Sequence, residues 1–215
     1  MNALTMFDKQ YYRQNIRYLC GIDEAGRGAL AGPVVAAAVI LPQNSMLEGV
    51  NDSKKLTEKQ RSALEPLIME KALAFGIGLA DVGEIDRQNI LQATFLAMKR
   101  AVDNLDICPD YILVDGRDFP RFIWNDRAEP LRGRHVISGD SRSLTIAAAS
   151  ILAKVHRDRL MKEYGRQHIV YNWGKNKGYG TKEHIKSILQ EGASPLHRRV
   201  FLRRILHNNE KDSIA

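Results

Sequence analysis

Cysteine is scarce: Cys20 and Cys108 are the whole supply. Neither stands in a C-x-x-C pair, so the sequence offers no disulfide framework and no zinc site. Such a chain suits a reducing compartment, and a cytoplasmic location is the expectation. Long apolar runs are also missing. The longest, Val34 to Leu41 (VVAAAVIL), is far short of a membrane span and reads as a buried strand, so no membrane partner is expected. The opening MNALTMFDKQYYRQ carries charge within its first ten residues and lacks the apolar centre of a secretory signal. Internal repeats and low-complexity linkers are absent. Acidic residues are in the minority, 25 against 32 Lys plus Arg, for a net charge of +7 and a sequence pI near 9.5. That balance suits a polyanionic partner. What remains is ordinary globular composition, 44% apolar and 27% charged, which excludes intrinsic disorder. At 215 residues the chain is one large domain, or one domain with a small appendage.

Hydrophobic patterning places the elements. Tyr18 to Ile22 and Val34 to Leu41 are apolar runs joined by Gly26-Arg-Gly-Ala-Leu-Ala-Gly-Pro33, which predicts a β-hairpin with a long, shaped loop. Asn51 to Glu70 predicts a helix starting near Asp52 or Thr57. Leu73 to Val82 alternates apolar and small residues, as a strand does, and Ile85 to Leu105 has the spacing of a long amphipathic helix. Tyr111 to Val114 and His135 to Ser138 read as short strands, and Ser143 to Tyr164 as a strong, alanine-rich helix. Helices follow at Lys182 to Gln190 and Leu196 to His207. The order implies an α/β fold, a mixed central sheet flanked by helices. The domain expectation is a core over 1–170 and a C-terminal helical extension over 171–215 packed on it.

Two of these strands end in carboxylates. Asp23 and Glu24 follow Ile22, and Asp115 follows Val114. Adjacent acids at a strand end are costly unless solvated, paired or metal-bound, and central strand ends are where α/β proteins build sites. If the two strands are neighbours, three carboxylates converge, and all-oxygen donors select hard ions such as Mg²⁺ or Mn²⁺. Two such ions suit a phosphodiester displacement, and a basic chain with an acidic cluster fits a metal-dependent nuclease. The plainer alternative makes each acid a turn or cap residue, as Asp115-Gly116 alone would suggest.

A fourth acid could come from Asp140 or Asp158. They stand 18 residues apart, roughly 27 Å along a helix at about 1.5 Å per residue, so they cannot share one cluster. Asp140 ends a third candidate strand and is preferred, with a helix N-cap as its alternative. Asp158 reads as a helix-surface partner of neighbouring arginines. Gly26-Arg27-Gly28 can bring backbone amides close to a ligand, with Arg27 able to hold a phosphate, and Lys54 and Lys55 stand at a helix start. Tyr11 and Tyr12 read as packing or surface aromatics, and Trp124 and Trp173 as partly buried anchors. The basic stretch His197, Arg198, Arg199, Arg203, Arg204 and His207 is either a phosphate-facing stripe or a solvated helix face.

These residues together resemble a known family. Gly21-Ile-Asp-Glu-Ala-Gly-Arg-Gly28 with Gly32-Pro33-Val34 is similar to the opening signature of the type 2 ribonucleases H, the ribonuclease HII family. Asp52-Ser-Lys-Lys-Leu56, Val114-Asp115-Gly116, Ile146-Ala-Ala-Ala-Ser-Ile151 with Ala153-Lys154-Val155 and Arg157-Asp158, Gly178-Tyr179 with Thr181-Lys182, and Pro195-Leu-His-Arg198 with Phe201 resemble its later motifs, in order. The resemblance implies an RNase H-like fold. It implies cleavage of the RNA strand in RNA/DNA hybrids and incision 5′ to single ribonucleotides in duplex DNA. Its metal-binding acids fall on Asp23, Glu24, Asp115 and Asp140. Its 2′-hydroxyl-reading loop falls on Gly26, Arg27 and Gly28, its backbone-approaching lysines on Lys54 and Lys55, and its sugar-stacking tyrosine on Tyr179. Two positions depart from the family pattern. Ser138 stands where a lysine is common, and Gly180 where a proline is common, which leaves that loop less rigid. No protein partner is indicated, and a monomer is the expectation. The stretch 117–133 is given no role, and the last eight residues read as a polar end. A related nuclease of the same fold and a non-catalytic nucleic-acid-binding module are the competing readings.

Overall fold

The computed structural model describes residues 3–12, 14, 16–120 and 131–212, with backbone only at 204 and 207–212. A five-stranded mixed sheet forms the centre: β1 (Leu19–Ala25), β2 (Val34–Ile40), β3 (Ala74–Ala80), β4 (Tyr111–Asp115) and β5 (Gly133–Val136), ordered β3-β2-β1-β4-β5. The first three form an antiparallel meander, and β4 and β5 join parallel on the other side of β1. Helices are α1 (Ala3–Tyr12), α2 (Glu58–Lys71), α3 (Val82–Asp103), α4 (Leu144–Gln167), α5 (Trp173–Asn176), α6 (Lys182–Glu191) and α7 (Arg199–Asp212).

Strand alternation sorts the core into two layers. Cys20 and Ile22 of β1, Val34, Ala36, Ala38 and Ile40 of β2, and Ile112 and Val114 of β4 pack against α3. The intervening residues face α4, with α2 and α1 beside it. Every residue of β2 is buried because both faces are covered, and burying each Val or Ile there contributes about 1.5–3 kcal/mol. A third cluster joins Leu30 and Ala31 of the β1–β2 loop to Met161, Tyr171, Trp173, Ile188 and Leu202. The C-terminal helices are thereby seated against the loop that follows Asp23 and Glu24.

The hairpin, the mixed sheet and the helix order match the sequence reading, with corrections. Asp52 caps only a 3₁₀ turn, Ser53–Lys55, and the long helix starts at its Thr57–Gln60 capping box. α3 is bent at Asn89, whose φ of 72° breaks the helix while its side chain accepts from the Leu91 and Gln92 amides. The fifth strand is Gly133–Val136, not His135–Ser138: Ser138 is left-handed, and pairing with β4 rather than apolar pattern defines the strand. The last helix begins at Arg199, not Leu196. α1 was not foreseen. It is anchored by Asp8, which accepts from the Thr145 amide at the start of α4. Trp124 and most of the 117–133 stretch lie outside the described residues. Among the described residues no helix is long and apolar enough to cross a membrane.

Candidate active site

β1 and β4 run parallel with Ile22 beside Val114. One step further, Asp23 and Asp115 therefore stand side by side at the same strand ends, on the face covered by α4. Gly21 makes the approach of that helix possible: a Cβ there would lie 2.2 Å from the Thr145 carbonyl carbon. After β5 the chain turns through Gly139–Ser141 and presents Asp140 immediately before α4. The Gly139 amide donates to Asp115 Oδ1 at 2.6 Å, locking this turn to the second acid. An oxygen of each of Asp23, Asp115 and Asp140 lies within 4.8 Å of the others.

The fourth acid, Glu24, lies outside this cluster. Its Oε1 accepts from Arg27 at 3.3 Å, while its buried Oε2 has no partner among the described residues. Asp23 and Asp140 are buried and Asp115 partly so. Desolvation first, and the neighbouring carboxylates Glu24 and Asp115 next, hold the Asp23 carboxyl well above its usual range. Desolvation likewise raises Glu24 and Asp115. Crowded, desolvated carboxylates and an orphaned carboxylate oxygen are what a hard divalent cation relieves, so this donor set fits Mg²⁺ or Mn²⁺. Among the described residues, the sole ammonium bonded to the cluster is Lys54, whose Nζ donates to Asp140 Oδ2 at 2.9 Å.

Three of the four acids line a cleft of about 270 Å³, and Asp140 stands outside its lining, bonded to Lys54, which lines it. Asp23, Glu24, Asp115, Gly26, Arg27, Gly28, Lys54 and Tyr179 all line it, so the geometry assembles most of the residues singled out in the sequence. Lys55 is exposed on the 3₁₀ turn and does not line the cleft. Tyr179 reaches it from the loop before α6, 37% exposed, with its carbonyl oxygen 2.9 Å from His184 Nδ1.

Sequence reasoning missed other lining residues. Ser53 and Ser150 share a 2.7 Å hydroxyl contact, and Ser150 hydrogen-bonds the Asp23 carboxylate. A single serine among the alanines of α4 was the available signal. Lys154 also lines the cleft and pairs with Asp158 at 2.6 Å. Asp158 is thus not a surface partner of arginines on its own helix: it is buried, with Lys154 on one side and Arg61 of α2 at 3.7 Å on the other. The basic stripe is broken as well, because His197 and Arg198 are buried. Trp173 is wholly buried and Tyr11 packs in the core, as anchors do.

A family model described as Ribonuclease HII matches residues 20–205. The chain is 46% identical over 206 residues to a ribonuclease HII of Caldanaerobacter subterraneus subsp. tengcongensis, covering 96% of this chain and 83% of that one. Its fold is similar to that of the ribonuclease H2 from Pyrococcus horikoshii OT3, with TM-score 0.71, 27% identity, and 90% of this chain and 99% of that one covered. It is also similar to the RNase HII solved in a PCNA:RNase HII complex from Archaeoglobus fulgidus, with TM-score 0.63, 25% identity, and 85% and 94% covered. With the acids at the strand ends, the ordered motifs and a match running nearly end to end, the chain belongs to the ribonuclease HII family.

Proposed function

We propose that this protein is an endonuclease that hydrolyses the RNA strand of RNA/DNA hybrids and incises duplex DNA 5′ to a single embedded ribonucleotide. Family membership supports the first activity. The observation that carries the second is the placement of Gly26, Arg27 and Gly28 on the same cleft as the acids. A loop that can address a 2′-hydroxyl there addresses it at the bond to be cut.

Asp23, Glu24, Asp115 and Asp140 would hold Mg²⁺ or Mn²⁺, two ions in the reacting complex. Bound there, the metal supplies a water of lowered pKa and charge stabilisation for the leaving 3′-oxygen. The chain's own residues do the rest. Arg27, 3.3 Å from Glu24, lines the cleft beside the acids, where it can orient the 2′-hydroxyl. Lys54 and Lys55 approach the nucleic-acid backbone from the turn before α2. Tyr179 offers a ring face to the neighbouring deoxyribose. Breaking the P–O3′ bond leaves a 5′-phosphate on the ribonucleotide and a 3′-hydroxyl upstream. This reading keeps 1–170 as the catalytic core, 171–215 as the extension that brings Tyr179, and a cytoplasmic monomer as the working form.

The test is cleavage of a labelled DNA duplex carrying one ribonucleotide, with Mg²⁺, Mn²⁺ and EDTA in parallel. One metal-dependent cut on the 5′ side is expected. Degradation of long hybrids without that cut would remove the single-ribonucleotide activity. Inertness on both substrates would leave a binding module.

A further inference from the structure

The loop between β1 and β2 has its carbonyls bound by two arginines from distant parts of the chain. Arg198 donates from Nη1 to the Arg27 carbonyl at 2.9 Å and from Nε to the Gly32 carbonyl at 2.9 Å. Its own amide donates to the Leu30 carbonyl at 2.8 Å. Arg157 donates from Nη2 to the Ala31 carbonyl at 3.0 Å and from Nε to the Pro33 carbonyl at 2.9 Å. Its Nη1 reaches the Lys177 carbonyl at 2.9 Å, and its guanidinium lies 5.5 Å from the centre of the Tyr179 ring. In return, the Leu30 and Gly32 amides donate to the carbonyls of Gly178 and Leu196, each at 2.8 Å. The amides of Arg27 and Gly28 bond to none of the described residues.

Both guanidiniums are 0% exposed. Among the described residues their hydrogen-bond partners are carbonyls, with no carboxylate among them. Burial, and secondly the charge of Arg157, push the Arg198 guanidinium down to about 9. Two buried cations without a bonded acid are costly to hold under one loop, and the field they create is weakly screened. Gly26 completes the fit. Its φ is +95°, and a Cβ there would lie 1.9 Å from Arg157 Nε. Only the planar guanidinium fork can serve several diverging carbonyls at once, whereas an ammonium is a point charge on a flexible stem.

We propose that Arg157 and Arg198 are positioning residues for substrate selection: they draw the loop's carbonyls into the interior and leave amides and positive potential at the face that meets the ribose and its phosphate. Arg157 also joins that loop to Tyr179, so sugar reading and sugar stacking move as one unit. The proposal rests on the reading that the Gly26–Gly28 loop addresses the 2′-hydroxyl.

The experiment compares the intact protein with Arg198→Lys, Arg198→Gln, Arg157→Lys and Arg27→Ala. Each is assayed on a duplex carrying one ribonucleotide and on the same duplex carrying one 2′-fluoro nucleotide. Amide exchange at Leu30 and Gly32, and Mn²⁺ affinity by calorimetry, are read alongside. Arg198→Lys and Arg198→Gln should each lower the ribo-to-fluoro rate ratio at least ten-fold, chiefly through kcat. Exchange should quicken at Leu30 and Gly32 but not in α3, and Mn²⁺ affinity should stay within two-fold. A folded Arg198→Lys with the parent ratio overturns the clamp, as does rescue by Lys where Gln fails, which would leave charge alone. Should both Arg198 variants fail to fold, Arg157→Lys reads the same ratio with the charge kept. A parent ratio near one, unchanged by Arg27→Ala, overturns the 2′-hydroxyl reading itself. A high parent ratio lost in Arg27→Ala but kept in the arginine variants overturns only the clamp.

Discussion

Lys54 and Asp140, 86 residues apart in the chain, meet through an ammonium–carboxylate hydrogen bond of 2.9 Å. The acid is buried while the lysine side chain is 76% exposed, so the lysine is free to leave and the carboxylate is not. The bond to Asp140 holds the Lys54 ammonium above its usual range. A divalent cation at the three acids and this ammonium compete for one carboxylate. Lys54→Ala is expected to tighten Mn²⁺ binding a few-fold in calorimetry while weakening binding to a nucleic-acid duplex. Unchanged or weaker Mn²⁺ binding would show that the lysine does not compete.

The raised carboxyls of Asp23, Glu24 and Asp115 set a pH dependence. A group whose pKa is raised keeps its proton to higher pH, and a metal must displace that proton. Metal affinity should therefore rise with pH above the ordinary carboxylate range, with protons released on binding. Titrations of Mn²⁺ into the protein in two buffers of different ionisation enthalpy measure the release. An identical apparent enthalpy in both would contradict it.

Asp115→Asn removes a charge from the middle of the cluster while keeping its shape. Cleavage of an RNA/DNA hybrid with Mg²⁺ should fall by about 10² or more, because the metal then lacks one anionic donor. Near-parent rates would mean that the carboxylate cluster is not the reacting centre.

Gly21→Ala should destabilise the fold by roughly 1–3 kcal/mol, since its Cβ meets α4 backbone rather than a side chain that could turn away. Thermal unfolding measures the loss. Mn²⁺ affinity should drop with it, because Asp23 lies two residues further along the displaced strand.

Asp8 and His197 act in opposite senses on acid stability. Burial raises Asp8 to about 6 from 3.8, so the folded state holds this proton more tightly and gains stability as pH falls from above 6 towards 4, by roughly 3 kcal/mol at most. Burial lowers His197 to about 4 from 6.5, so the folded state resists this proton and loses a similar amount as pH falls through that window. Melting curves from pH 7.5 to 4.5 should show Asp8→Asn more acid-sensitive than the parent and His197→Gln less so. The reverse order would refute both assignments.

The reach of the sequence was uneven for physical reasons. Asp23 and Asp115 were legible because an apolar run ending in an acid needs a site to justify it, and the parallel pairing of β1 with β4 then supplied the neighbourhood. Asp140 was harder, since a 3₁₀ turn at a helix start is also a capping position. The fifth strand hid because Gly133-Arg-His-Val136 carries no alternation and, among the described residues, pairs with β4 only. Arg157 and Arg198 looked like surface charge, because an arginine that bonds only to backbone carbonyls leaves no partner to find in the sequence. Asp158 misled for a related reason: its nearer ion-pair partner is Lys154 rather than a neighbouring arginine, and the arginine it does meet, Arg61, comes from another helix.

The parallel register of β1 and β4 bears on biosynthesis. Asp23 and Glu24 leave the ribosome before their neighbour Asp115, which arrives only with β4, and Asp140 follows later still. The loop that follows them has no Arg198 beneath it until the chain has grown to a residue 171 positions beyond Arg27. Contacts so remote in sequence close late. A nascent chain, still tethered beside messenger RNA, therefore carries the acids of a nuclease without being able to assemble one.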